Sequence, residues 1–194
     1  LEPFYTNYNT FAFMNGLTLK AISTDIKNGF QVPPIEEFEK AITDKTKAIL
    51  VCNPGNPTGT QYSKESMLAL GEIARKHDLF LLSDEVYREF CYTDEPHFSA
   101  MNIPGLEQNV ILIDSVSKRY NLCGARIGCI VSHNKDVMAA AMKFAQARLC
   151  PPVLGQMASI GALDTPDEYF DAVKEEYIKR RDFMIEGLNK IEGV

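Results

Sequence analysis

The chain has 194 residues, of which 45% are hydrophobic and 24% are charged. This length is sufficient for one domain with a sizeable core, and the composition is that of an ordinary globular protein. The formal net charge of −6 and the lack of a long Lys/Arg run disfavour nucleic-acid binding. No apolar run approaches the roughly 20 residues needed to cross a bilayer, which disfavours a membrane protein.

The cysteines and histidines indicate neither a disulfide framework nor a metal site. There are 5 cysteines, an odd number, and none has CxxC spacing, while the 3 histidines lie far from metal-ligand spacing. We therefore expect reduced, mostly buried thiols in a cytoplasmic protein. The chain opens at Leu1 rather than Met and closes just after a strong helical pattern. We accordingly expect a fragment of a longer protein.

Hydrophobic periodicity predicts alternating strands and helices along the chain. Residues 17–23 read as a short strand, and Pro33-Pro34 opens a helix with an apolar stripe. Ser63 is a candidate N-cap for the second helix. The remaining predicted elements are strands at 47–52, 79–83, 110–114 and 127–132, and helices at 35–42, 63–76, 136–147 and 153–163.

The last predicted helix begins at Thr165-Pro166-Asp167-Glu168. Thr165 is a candidate cap, Pro166 is suited to the first helical position, and Glu168 completes a capping box. The apolar residues that follow keep one face for about seven turns. A helix of that length at the end of an α/β unit often leads to a second domain.

The strands are apolar throughout, which is typical of strands buried on both faces in a parallel sheet. We therefore predict an α/β fold with a mostly parallel sheet and helices on both faces. Asn53, Asp84 and Ser115 each follow a predicted strand. Ligands of such sheets bind at the carboxyl ends of the strands, so these residues mark a candidate site.

The residues near the strand ends match the needs of pyridoxal phosphate (PLP). Lys118, in Ser-Val-Ser-Lys, offers an amine for the cofactor aldehyde. Asp84 offers a carboxylate that would keep the pyridine nitrogen protonated. Tyr87, three residues after Asp84, and Asn56 offer donors to the ring oxygen.

The phosphate and the ring face have candidates as well. Ser115 and Ser117 offer hydroxyls, and Arg126 offers the planar fork suited to a phosphate. Tyr5 is the best candidate for stacking on the ring, and Tyr8 competes with it. Each residue alone also has an ordinary explanation, such as a surface lysine, a turn asparagine, a core tyrosine or a surface salt bridge. Only the combination is specific.

The ordered set of motifs resembles the fold-type I PLP enzymes, namely the class I/II aminotransferases of the aspartate aminotransferase superfamily. The matching segments are Asn-Pro-Gly-Asn-Pro-Thr-Gly (53–59), Asp-Glu-Val-Tyr (84–87), Ser-Val-Ser-Lys (115–118) and Gly-Ala-Arg-Ile-Gly (124–128). The resemblance implies the PLP-contacting roles given above, with Lys118 bound covalently to the cofactor. Ser117 fits these roles less firmly than Ser115.

The resemblance also has consequences for domains and assembly. Residues 1–164 would belong to the PLP-binding large domain, and residues 165–194 would form a helix toward a small C-terminal domain. That domain and an N-terminal glycine-rich turn are missing here, so the substrate-carboxylate arginine is unassigned. The full-length protein is expected to be a homodimer, and this chain alone is expected to be inactive. The Asn56–Pro57 bond is expected to be cis.

The function implied by the resemblance is transfer of an amino group between an amino acid, possibly aspartate, and a 2-oxo acid. A carbon–sulfur or related lyase on the same cofactor core is the first alternative. The second is an aminotransferase-like effector domain of a regulatory protein. The residues of the cofactor core do not distinguish these three functions.

Overall fold

The computed structural model describes residues 1–193 and contains one four-stranded sheet within them. The strands are β1 (Ala48–Cys52), β2 (Phe80–Asp84), β3 (Val110–Ser115) and β4 (Gly128–Val131). Their order in the sheet is β1-β2-β3-β4. The first three are parallel, and β4 is antiparallel to β3. The prediction of an α/β fold with a mostly parallel sheet is confirmed.

Seven α-helices accompany the sheet in the described part of the chain. They are α1 (Asn7–Met14), α2 (Ile35–Ala41), α3 (Lys64–Lys76), α4 (Val116–Arg119), α5 (Lys135–Arg148), α6 (Val153–Ala162) and α7 (Asp167–Leu188). Single 3₁₀ turns occur at Ile26–Asn28, Ala100–Asn102 and Cys123–Ala125. Ser63 caps α3 as predicted, because its hydroxyl accepts a hydrogen bond from the Ser66 N–H at 3.1 Å.

The packed core lies on one face of the sheet. Successive strands place Ile49, Val51, Leu81 and Val110 on that face, where they are buried. The buried side chains of α3 pack in the same cluster: Met67, Leu70, Ile73 and Ala74. The opposite face is only half-buried among the described residues, so the prediction of strands buried on both faces is wrong. Both faces read as apolar in the sequence, but α3 covers only one of them.

Two predictions near the N-terminus need correction. Residues 17–23 do not form a strand, because this segment makes only an isolated bridge between Ser23 and Glu2. The Leu17 N–H donates to the Ala12 carbonyl of α1, and the bonds around the bridge are those of the Glu2 N–H to Ile22 and of the Thr24 N–H to Glu2. Helix α1 was not predicted. Its polar and apolar residues are mixed around the axis, so it has no apolar stripe that periodicity could detect.

The C-terminal helix is present but begins differently. Pro166 is the N-cap residue with an extended backbone, and no side chain caps this end. The predicted Thr165 cap is therefore wrong, because the helix starts one residue later than the capping box requires. Helix α7 has 22 residues, or about six turns. The basic patch Lys179-Arg180-Arg181 is exposed on it, as expected for a solvated helix face.

The cysteine prediction is half right. All 5 thiols are free, but Cys123, Cys129 and Cys150 are exposed, so the expectation of mostly buried thiols is wrong. The apolar neighbours that suggested burial lie on β4 and on the segments beside it, which are themselves exposed. Within residues 1–193, no helix combines the length and apolar character that crossing a membrane requires.

Candidate functional site

The parallel strands bring their carboxyl ends to one edge of the sheet. Cys52 at the end of β1 pairs with Asp84 at the end of β2, and Asp84 pairs with Ile113 on β3. The bonds continue past the strands, since the Asn53 N–H donates to the Asp84 carbonyl at 3.0 Å. Asn53 is fully buried, and its side-chain oxygen accepts from the Tyr62 N–H at 2.9 Å. The start of the Asn-Pro-Gly-Asn-Pro-Thr-Gly loop is thereby fixed beside β2.

A cleft of about 460 Å³ opens beside this edge. Four of the predicted site residues line it: Asn56, Tyr87, Ser117 and Lys118. The rest of its wall is formed by the proline- and glycine-rich loop, three aromatic residues and the segment after α4: Pro54, Gly55, Pro57, Gly59, Phe90, Tyr92, Tyr177, Asn121 and Cys123. The cleft thus combines an amine, an amide, a phenol and a hydroxyl.

Tyr87 lies close to two of the other three residues. The Asn56 side-chain N–H donates to the Tyr87 hydroxyl at 3.4 Å. The Lys118 ammonium lies 5.9 Å from the centre of the Tyr87 ring. The Asn56–Pro57 peptide bond is cis, as predicted, and the Asn53–Pro54 bond is cis as well. Lys118 is exposed, and among residues 1–193 no carboxylate lies within salt-bridge distance of its ammonium. Its amine is accessible for chemistry.

Asp84 lies beside the cleft and binds a residue that the sequence placed elsewhere. The Tyr8 hydroxyl donates to the Asp84 carboxylate at 2.6 Å, and the Val86 N–H donates to the other oxygen at 3.3 Å. Burial, followed by the nearby Cys52 and Asp84, raises the pKa of Tyr8 well above its usual range. Tyr8 therefore stays protonated and remains a donor to this carboxylate.

Tyr5 is not among the residues that line the cleft. Its ring meets Tyr8 edge to face at 5.5 Å, and its hydroxyl accepts from the Asn7 side chain at 2.8 Å. Tyr5 is 39% exposed, whereas Tyr8 is half-buried. The two competing tyrosines thus differ in their contacts: the Tyr8 hydroxyl binds the Asp84 carboxylate, and Tyr5 makes no contact with it.

Of the three phosphate-binding candidates, only Ser117 lines the cleft. The Ser115 hydroxyl accepts from the Ser117 N–H at 3.3 Å and so caps the short helix α4. Arg126 has a left-handed backbone with φ of 57° and is exposed. Its guanidinium donates to the Cys123 carbonyl at 3.0 Å. Neither Ser115 nor Arg126 lines the cleft, whereas Ser117 does.

Sequence reasoning missed a buried carboxylate next to Asp84. Glu85 is fully buried and accepts hydrogen bonds from the His97 ring at 2.9 Å and the Ala100 N–H at 2.9 Å. The hydroxyls of Ser83 and Ser99 also donate to it. Burial raises its pKa, but these hydrogen bonds outweigh burial, and the pKa lies below its usual value. The partners lie up to 15 residues away, so the sequence offered no local signal.

The comparisons with known proteins decide the family. The sequence profile of the family "Aminotransferase class I and II" matches residues 1–194. This chain belongs to the class I and II aminotransferases. Within the part that the structure describes, no group of three or more His, Cys, Asp or Glu side chains is arranged to hold a metal ion.

Individual relatives agree with this family at moderate identity. The Bacillus subtilis protein YugH is 34% identical over 192 residues, covering 98% of this chain and 49% of the relative. The aspartate/prephenate aminotransferase of Thermus thermophilus is 31% identical, with coverage of 98% and 49%. The alanine aminotransferase structure from Pyrococcus furiosus matches with a TM-score of 0.89 and 32% identity, covering 99% of this chain and 49% of that one.

These matches limit what likeness alone says about the substrate. The chain spans about half the length of the curated relatives it matches. The aspartate/prephenate and alanine enzymes are 31% and 32% identical to this aminotransferase chain, so identity does not favour either substrate. The distinction has to come from chemistry and experiment.

Proposed function

We propose that the full-length protein is a PLP-dependent aminotransferase that exchanges an amino group between an amino acid and a 2-oxo acid. Membership of the family supports the reaction class. The observation that carries the proposal is the cleft in which Asn56, Tyr87 and Lys118 come together at the carboxyl edge of a parallel sheet.

The donor chemistry of this region fits PLP. Lys118 would hold the aldehyde carbon through its amine, and Asn56 and Tyr87 would hold the ring oxygen through an N–H and an O–H that already approach each other to 3.4 Å. Asp84 would pair with the ring nitrogen, and Tyr5 would cover the ring face. When bound, PLP supplies an electron sink for the carbanion that forms at the substrate Cα.

The phosphate would be held by Ser115, Ser117 and Arg126. The N–H groups at the start of α4 add partial positive charge, and the Arg126 fork suits two phosphate oxygens. Arg126 would exchange its bond to the Cys123 carbonyl for the phosphate. Its exposure keeps that exchange inexpensive, because a solvated guanidinium leaves no buried group unsatisfied.

Different residues of the chain would move protons and orient the reacting groups. Lys118 is the residue in the cleft with a free amine, and it would take a proton from the substrate Cα and return it two bonds away, at the carbon that carried the aldehyde. Asp84 would hold a proton at the ring nitrogen through its carboxylate. Tyr8, kept protonated by burial and by the Asp84 carboxylate, fixes one oxygen of that carboxylate at 2.6 Å. Asn56 and Tyr87 orient the ring.

Assembly and surroundings belong to the same proposal. The resemblance supports a homodimer, with residues 1–164 in the large domain and α7 leading toward a small domain. All 5 cysteines are free, which supports a reducing, cytoplasmic location. This chain alone is expected to fold and to be inactive, because the substrate-carboxylate arginine is unassigned within it.

Turnover of the full-length protein tests the proposal. We expect amino transfer from an amino acid to 2-oxoglutarate, which gives glutamate and the donor's 2-oxo acid, with aspartate, which gives oxaloacetate, as the first donor to compare. A protein that releases pyruvate, ammonia and a thiol from cysteine S-conjugates without amino transfer is a lyase instead. Reversible amino-acid binding without turnover of either kind indicates the effector domain of a regulatory protein. Either result overturns the proposed reaction.

A further inference from the structure

A cluster of four charged residues adjoins the residues that line the cleft. It consists of two arginines and two carboxylates: Arg88, Glu89, Asp114 and Arg119. Three of its members are chain neighbours of predicted site residues, since Arg88 follows Tyr87, Asp114 precedes Ser115 and Arg119 follows Lys118. The cluster therefore joins the Tyr87 turn to the end of β3 and to the Lys118 turn.

Arg119 is the centre of this charge cluster. Its guanidinium donates to the Asp114 carboxylate at 3.0 Å, and its Nε lies 3.5 Å from the Glu89 carboxylate. The side chains of Arg119 and Asp114 are only 10% and 11% exposed. A guanidinium can bridge two carboxylates through its planar fork, whereas a lysine ammonium is a single point of charge.

The segments that Arg119 joins need an external anchor. Helix α4 has 4 residues, which is too few for a helix to be stable alone. The turn after β2 is attached to β3 at its start, where the Glu85 N–H donates to the Ile113 carbonyl at 2.9 Å, but beyond Glu85 the Arg88 and Phe90 N–H groups bond only within the turn. Asp114 belongs to β3, which is fixed in the sheet by its neighbours on both sides. Arg119 thus ties two small turns to a rigid strand.

We propose that Arg119 is a positioning residue, which holds the Lys118 turn against the Tyr87 turn through its ion pairs with Asp114 and Glu89. The proposal rests on the proposed function, because it concerns how the Lys118 amine is aimed. Arg119 does not line the cleft, so it acts through its neighbours. Without it, the distance between the Lys118 ammonium and the Tyr87 ring, 5.9 Å, is no longer fixed.

The test measures covalent capture of PLP by the full-length apoprotein. In capture, the Lys118 nitrogen bonds to the aldehyde carbon and the aldehyde oxygen leaves as water, which changes the absorbance of PLP. We expect Arg119→Met to slow capture about 10- to 100-fold, the loss that misplaced reacting groups produce. Arg119→Lys keeps the positive charge but not the planar fork. We expect its capture rate to lie between those of the wild type and Arg119→Met.

Arg75→Met is the matched control. Arg75 also pairs with a carboxylate, that of Glu72, and donates to the Pro104 carbonyl, but it lies on α3 away from the cleft. We expect it to lower the urea midpoint while leaving the capture rate unchanged. If Arg119→Met also lowers only the urea midpoint and captures PLP within twofold of the wild-type rate, Arg119 is merely structural and the proposal is overturned.

A second variant covers the case in which Arg119→Met does not fold. Glu89→Gln removes the charge partner of Arg119 on the Tyr87 turn and leaves the Arg88–Asp114 pair in place, and the Glu89 side chain is 35% exposed, so the change is mild. Several-fold slower capture supports the proposal, and an unchanged rate overturns it. Wild-type protein that never forms a borohydride-reducible attachment to PLP would instead refute the proposed function. The failure of this proposal and the failure of the proposed function are therefore distinguishable.

Discussion

The two ends of the candidate site are prepared to different degrees. At the ring end, Asn56 and Tyr87 contact each other and Asp84 is held by Tyr8. At the phosphate end, Ser115 is engaged in capping α4 and Arg126 points to a backbone carbonyl in an exposed loop. The ring end is fixed by half-buried contacts within the chain, whereas the proposed phosphate end would have to rearrange around its ligand. Substitutions at the two ends should therefore differ in kind.

The largest effect is expected for Asp84→Asn in the full-length protein. The loss of the carboxylate charge at this shielded strand end should cost about 3–5 kcal/mol of transition-state stabilisation, the cost of breaking a buried charge pair. This corresponds to about two to four orders of magnitude in kcat/KM. Asp84→Glu should be milder, and Tyr8→Phe should cost about 1 kcal/mol for one hydrogen bond. Near-normal turnover of Asp84→Asn would refute the role.

Glu85→Gln tests whether the buried hydrogen bonds of Glu85 stabilise the segment next to Asp84. We expect a loss of about 2–3 kcal/mol in the free energy of unfolding at pH 7, because hydrogen bonds to a charged group are lost. The pKa of Glu85 is lower in the folded state, so its stabilisation is present above the unfolded pKa and lost as the pH falls through the folded pKa.

Urea unfolding at several pH values checks this expectation. The difference between wild type and Glu85→Gln should shrink as the pH falls below about 4.3, the ordinary value of a glutamate. Glu72→Gln is the control, because Glu72 forms an exposed pair worth under about 1 kcal/mol. A difference that is small at pH 7, or that grows in acid, contradicts the buried network.

Arg126→Met tests the phosphate end and should separate affinity from stability. Loss of charge-assisted bonds worth about 1.5–3 kcal/mol should weaken PLP binding about 10- to 100-fold. The free energy of unfolding without PLP should change by less than about 0.5 kcal/mol, since Arg126 is exposed. Equilibrium titration with PLP and urea unfolding measure the two quantities. Arg180→Met on α7 is the charge-matched control, and equal affinity in both variants would contradict the assignment.

The smallest effect is expected for Tyr87→Phe. The lost hydroxyl makes a contact of 3.4 Å with Asn56, so we expect a cost of about 1 kcal/mol, or roughly fivefold in PLP affinity. Burial, followed by Cys52 and Asp84, raises the pKa of Tyr87, so the hydroxyl stays protonated at neutral pH. The ratio of wild-type to variant affinity should therefore be constant between about pH 6 and 9. A ratio that falls toward pH 9 would contradict this protonation state.

The sequence was sufficient for the sheet because its strands are short apolar runs and their helices have clear caps, as at Ser63. It also located the strand-end residues, because chemistry-bearing side chains followed three strands in a row. It failed at residues 17–23, since extended backbone becomes a strand only with a partner, and their partner is Glu2 alone.

Contacts between segments that are distant along the chain could not be predicted from the sequence. The Tyr8–Asp84 bond joins residues 76 positions apart, and no pattern links them. The same holds for Glu85 with Ala100 and for Arg119 with Glu89. Motifs report which residues serve the chemistry, whereas the side chains that position them are recognised only once the fold brings the segments together.

The central claim is that Lys118 is the amine that binds the cofactor. Full-length protein should be incubated with PLP, reduced with borohydride and digested, and the modified peptide identified by mass spectrometry. We predict a single pyridoxyl adduct on Lys118, and none on any site in the Lys118→Ala variant. A stoichiometric adduct on another lysine, or undiminished labelling of Lys118→Ala, would contradict this assignment.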